Sequence, residues 1–136
     1  MGNALYNFVD WDYWHTDWYS IVFTHCVHLT HVQLSDFVTT QAILILASNC
    51  TQLTHFHLNG SNSYEFFHNT QNQAALQSLA FLIRRCSKLV CVEFTDLHIP
   101  AGILYIIAEC LPELHTLTLI RTGTVNDAIS TVRNRC

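Results

Sequence analysis

Two histidines, a cysteine and a glutamate stand at spacings that invite chemistry: His55 and His57, then Cys91 and Glu93. If the two pairs project from neighbouring strands, which lie ~4.8 Å apart with alternate residues on one face, all four come within reach of one zinc ion. Imidazole, thiolate and carboxylate are all acceptable zinc ligands. Cys91 beside His55 would equally set a nucleophile next to a base. Neither reading has a local signature, since the chain holds no C-x-x-C and no H-E-x-x-H. A flat sheet also offers little second shell to orient ligands, and no pocket with oxyanion donors. Metal binding is therefore the lesser expectation, no cofactor is expected, and an enzyme is not. The same residues are better suited to recognition, provided that the chain builds a strand face to carry them.

The elements that must do so are visible in the cysteines. Cys26, Cys50, Cys86, Cys110 and Cys136 follow one another at intervals of 24, 36, 24 and 26 residues. After Cys26 come Leu29, Val32 and Leu34; after Cys50, Leu53, Phe56 and Leu58; after Cys86, Leu89, Val92 and Phe94. Cys110 is followed by Leu114, Leu117 and Leu119, one residue late, around Pro112. Each is an L-x-x-h-x-h unit, where h is apolar, and a period of roughly 20–29 residues with that core marks a leucine-rich repeat.

The residues before each cysteine complete the unit. Tyr19, Val22 and Phe23 precede Cys26, Ile43, Leu46 and Ala47 precede Cys50, and Leu79, Leu82 and Ile83 precede Cys86. Ile103, Ile106 and Ile107 do so before Cys110. Apolar residues at these offsets form one helical face. Pro100 suits a first helical turn, and Thr39, Thr40 and Asn126 suit N-caps. Each repeat thus reads as strand, turn and helix, and no single repeat can bury its apolar face without a neighbour. The expected fold is α/β, a right-handed leucine-rich-repeat solenoid with a curved parallel sheet. Residues 1–136 would form a single domain, with an inserted loop at 59–75. The cysteines then form a packing column of free thiols, in keeping with the rarity of intracellular disulfides.

On these residues the chain resembles the cysteine-containing leucine-rich repeats of F-box proteins. Their repeat runs C-x-x-L-x-x-L-x-L and then resembles I-T-D-x-x-L-x-x-L-A-x-x-C. The stretches from Val38 to Cys50 and from Ile99 to Cys110 fit its second half. The likeness covers residues 19–136. It implies substrate capture for a ubiquitin ligase, although the F-box itself is not found in residues 1–25. Asp36, Gly60, Asp96 and Arg121 stand where the family often has a second cysteine or an asparagine, so the turns should close differently. The array is expected to be partial, since Cys136 stands where another strand would begin. Upstream, Leu5 and Phe8 lie at the offsets of one earlier strand, with Gly2 in the cysteine's place. A stand-alone scaffold or decoy is the alternative to a ligase receptor, and a metal-binding protein the lesser one.

Alternation turns His31, His55, Cys91 and Thr116 outward in one column and Gln33, His57, Glu93 and Thr118 in the next. These eight are the candidate site for a protein or peptide partner on the concave face. Neutral histidines there would become cationic below about pH 6.5 and weaken a basic partner. Trp11, Trp14 and Trp18, interleaved with acids, form a second candidate surface or cover the open end of the stack. Phe66 and Phe67 in the insert are expected to pack back on the solenoid.

Composition narrows the partner. The net charge is -4, with no basic stripe for a phosphate backbone, so nucleic acid is not expected. The longest apolar runs, 42–47 and 103–108, are too short for a bilayer, and the N-terminus lacks a signal core. A cytoplasmic or nuclear setting, without a membrane role, is the expectation.

Overall fold

The computed structural model describes residues 4–5, 18–35, 38–61 and 73–122. Five strands form one parallel sheet in chain order: β1 (Ala4–Leu5), β2 (His31–Leu34), β3 (His55–Asn59), β4 (Cys91–Thr95) and β5 (Thr116–Ile120). Helices α1 (Trp18–His25), α2 (Thr40–Asn49), α3 (Gln73–Arg85) and α4 (Ala101–Cys110) alternate with them. Each helix packs against the next. The fold is thus α/β, as expected. Trp11, Trp14, Phe66, Phe67, Asn126 and Cys136 lie outside the described residues, as do 62–72 of the inserted loop. Within the 59–75 segment Asn59 ends β3, 60–61 lead into a turn, and 73–75 open α3.

Strand alternation builds the core. Val32, Leu34, Phe56, Leu58, Val92 and Phe94 are at most 3% exposed and pack into one cluster with the inner helix faces. The rings of Phe56 and Phe94 meet edge to face at 6.5 Å between centroids. Such aromatic and aliphatic burial is the dominant favourable contribution to a fold of this size. Thr39 caps α2 by accepting the Ala42 amide at 3.2 Å. Pro100 stands one residue ahead of α4, in extended conformation at φ -69 and ψ 150, where its missing N–H costs nothing.

The repeat is written in the backbone. The amides of Cys26, Cys50 and Cys86 donate to Val22, Leu46 and Leu82. In the fourth repeat it is Leu111, at 3.1 Å from the Ile107 carbonyl, that makes this bond. The Leu114 amide then returns to the Leu111 carbonyl, as Leu29 does to Cys26 and Leu89 to Cys86. Leu111 therefore holds the cysteine's place, and there is no one-residue slip around Pro112. Cys110 lies one residue earlier, inside α4 and only half-buried.

Where the column does consist of cysteines, it is more than packing. Cys50 Sγ donates to the carbonyls of Phe23 at 3.5 Å and Cys26 at 3.4 Å, and Cys86 Sγ to that of Cys50 at 3.6 Å. Each thiol so adds a donor at the C-terminal end of the preceding helix, where the intrahelical ladder runs out. Cys26, first in this column, is exposed.

Two further differences concern registers and turns. β1 pairs Leu5 with Val32, so Leu5 holds the place that the spacing assigns to Phe8. Both residues are apolar, and periodicity alone cannot separate the two registers. At the strand ends the ladder continues, with the Gly60 amide donating to Thr95 and the Asp96 amide to Ile120, both at 2.9 Å. Asp96 and Arg121 both take φ 54, a conformation that aspartate tolerates and that is unusual for arginine. Their side chains join the two turns: Arg121 Nε and Nη2 donate to the Asp96 carboxylate, Nη2 to Oδ2 at 2.9 Å. That guanidinium holds the Asp96 carboxyl below its ordinary range.

A polar strand face as the candidate site

The register brings the eight expected residues together. His31, His55, Cys91 and Thr116 are successive partners across β2 to β5, and so are Gln33, His57, Glu93 and Thr118. All but Thr116, which is exposed, are half-buried, on the face opposite the core residues. His31, Gln33, His55, His57, Cys91 and Glu93 border a shallow depression of about 120 Å³. Trp18 is the first residue of α1 and lies in the helical layer, outside this constellation.

The residue ahead of each strand orients the histidines. Thr30 Oγ1 and His31 Nδ1 share a hydrogen bond of 2.9 Å, and Thr54 Oγ1 and His55 Nδ1 repeat it at 2.9 Å. Thr54 and Thr30 are themselves tied together, because the amides of Thr54 and His55 both donate to the Thr30 carbonyl, at 2.8 and 2.9 Å. Identical anchoring on adjacent strands makes the two imidazoles stack, 3.9 Å between centroids and 10° between planes. Burial first, and the neighbouring His31 second, lower the proton affinity of His55.

One strand position along, His57 Nε2 donates to Glu93 Oε2 at 2.9 Å. A carboxylate has no proton of its own to give, so the hydrogen lies on the imidazole. Thr95 Oγ1 is 3.2 Å from the same nitrogen. Thr30, Thr54 and Thr95 therefore belong to the site although side-chain type alone did not single them out. The signal available was their place, Thr30 and Thr54 just before a strand that opens with a histidine and Thr95 at the end of the strand beside His57.

The chemical readings fare as this geometry dictates. Burial, and then the carboxylate of Glu93, push the Cys91 thiol up from its ordinary value of 9.0. A thiol so disposed is protonated at neutral pH and a poor nucleophile. Thr54 engages His55 at Nδ1, and His57 engages one oxygen of Glu93. Among the described residues no three His, Cys, Asp or Glu side chains converge to hold a metal ion.

No protein-family model matches the chain, and no curated protein is detectably similar to it. No helix among the described residues is long and apolar enough to cross a membrane.

Proposed function

We propose that the chain is a leucine-rich-repeat solenoid that acts as a protein-interaction module, its strand face receiving a polypeptide partner. The observation that carries the reading is the in-register pair of polar columns, His31 to Thr116 and Gln33 to Thr118, on the solvent side of a continuous parallel sheet. Parallel sheets are ordinarily covered on both faces, so one face left polar and open is a surface available for binding. Repeat arrays use such a face for extended partners. The resemblance to F-box repeats extends the proposal to substrate capture for a ubiquitin ligase in the cytoplasm or nucleus.

The test compares two charge changes in the full chain. Glu93→Lys alters the strand face, and Gln77→Lys alters an exposed position on α3. Proteins recovered with the wild type by quantitative mass spectrometry should be lost with Glu93→Lys and retained with Gln77→Lys. Recovery of a ligase adaptor among them supports the ligase role, and its consistent absence argues for a scaffold. Loss with Gln77→Lys alone would overturn the reading, because it would place the interface on the helices.

A further inference from the structure

The strand face holds a gap with the shape of one planar group. Register sets His31, His55 and Cys91 side by side in one row across the sheet. Rings stacked from adjacent strands have their normals along the strand-to-strand direction, so the second face of His55 is turned toward β4. There the row holds Cys91, a side chain of two heavy atoms, and the stack does not continue. Neighbouring strands are ~4.8 Å apart and atoms in van der Waals contact ~3.5–4 Å, which leaves room above the thiol for one flat group against His55. Glu93 and His57 close the gap along the strand direction, and the whole opens into the solvent-facing depression.

The electrostatics of the gap are as defined as its shape. His57 engages Glu93 Oε2, and the second carboxylate oxygen is a further acceptor. The Glu93 side chain is 33% exposed, within reach of a ligand from solvent. The wall is a π ring, the floor a thiol, and the charged group an anion. Resistance of His55 to protonation keeps that wall uncharged at neutral pH.

We propose that this gap receives an arginine side chain of the partner, its guanidinium flat on His55 above Cys91 and hydrogen-bonded to Glu93. The proposal rests on the strand face being the partner-binding surface and names the residue recognised there. Arginine fits where lysine does not, because the guanidinium is planar, stacks on rings and offers donors in a rigid fork to a carboxylate. A phenylalanine ring would match the shape but present no donor to Glu93, and tyrosine or tryptophan would present one neutral donor without the positive charge.

The test uses the full chain and three small probes: the N-acetyl methylamides of arginine, citrulline and lysine. Citrulline keeps the planar shape without the charge, and lysine keeps the charge without the plane. Binding is followed through the ring C–H signals of His55 in proton–carbon NMR spectra. Arginine should shift these signals saturably, and citrulline and lysine should each bind at least about tenfold more weakly, the worth of a charge-assisted contact. Glu93→Gln should weaken arginine by a similar factor. Cys91→Phe, which fills the gap, should abolish the shift while circular dichroism and the signals of the core methyl groups stay native. Equal binding of citrulline, equal binding of lysine, or full binding by Cys91→Phe would overturn the proposal. If arginine leaves His55 unmoved while Glu93→Lys still sheds the partner proteins, the arginine site fails and the binding face stands. If Glu93→Lys also sheds nothing, both fail.

Discussion

The thiol column predicts a steep fall in stability between pH 9 and 11. Burial, and then the neighbouring Cys26 thiol, push Cys50 from its ordinary 9.0 up to about 11. Burial and Cys50 push Cys86 up to about 12, against the opposing effect of the Arg85 guanidinium. Both side chains are closed to solvent, and each donates its S–H to a backbone carbonyl, which needs the protonated form. Because folding raises these pKa values, their contribution is fully present below pH 9 and is lost as the pH climbs toward the folded values. Between those limits the unfolded chain releases a proton that the folded chain keeps, so each thiol removes about 1.4 kcal/mol per pH unit. From pH 9 to 11 that is roughly 3 kcal/mol for each thiol. The pair together approaches the lower end of the roughly 5–15 kcal/mol that holds a typical domain folded.

The assay is urea unfolding followed by circular dichroism at half-unit steps from pH 8 to 11. Tyrosine and lysine ionise over the same range, so the decisive quantity is the difference between wild type and Cys86→Ala. The variant lacks one thiol and should lose stability about 1.4 kcal/mol per pH unit less steeply between pH 9.5 and 10.5. Equal slopes, or a wild-type stability flat to pH 11, would refute the reasoning, since a thiol sealed in this column cannot ionise without opening it. At pH 8 a disulfide reagent should modify the exposed Cys26 quickly and Cys50 and Cys86 only at the rate of unfolding.

Four further outcomes are expected. Phe94→Ala, at a 1% exposed position against Phe56, should cost about 3–5 kcal/mol in urea unfolding through the cavity left behind. Thr39→Ala removes the bond to the Ala42 amide and should cost about 1 kcal/mol by the same assay, with Thr39→Ser close to wild type. Folding lowers the His55 pKa, so its contribution is present above pH 6.5 and is lost as the pH falls through the folded value. Replacing His31 by Ala removes one of the two causes, and NMR titration should then show His55 protonating at higher pH. Cys91→His should continue the imidazole row onto β4, lower the His55 midpoint further and close the gap to the arginine probe.

The strand pattern was legible because burial enforces it. Leu29, Leu53 and Leu89 are at most 2% exposed, and the apolar positions after each sit where alternation puts them. The fourth repeat shows where residue type misleads. Cys110 looked like the column residue because it is a cysteine, yet the place belongs to whichever residue returns its amide to the helix, and Leu111 does so. The eight face residues could be assigned to columns by counting, but counting says nothing of rotamers. The ring stack depends on Thr30 and Thr54 holding both imidazoles at the same angle. The turns were legible only as departures: Asp tolerates the left-handed backbone that Asp96 and Arg121 share, but nothing in an Arg advertises it. An ion pair between successive turns accompanies it, and that pairing is a tertiary fact.

The same regularity accounts for the core and for the site. Stacked repeats place equivalent residues in equivalent surroundings, so whatever one residue does, its neighbours in the column tend to do as well. In the buried column the result is a run of thiols donating to carbonyls. On the open face it is a pair of imidazoles held by matching threonines. A site with direction requires that the regularity break, and on this face it breaks at β4, where Cys91 and Glu93 stand beside His55 and His57. The ring stack supplies a rigid wall because it follows the repeat, and the space beside it exists because Cys91 does not. Specificity in such a fold therefore resides in the places where a column changes residue type, with the unbroken columns fixing the geometry around them.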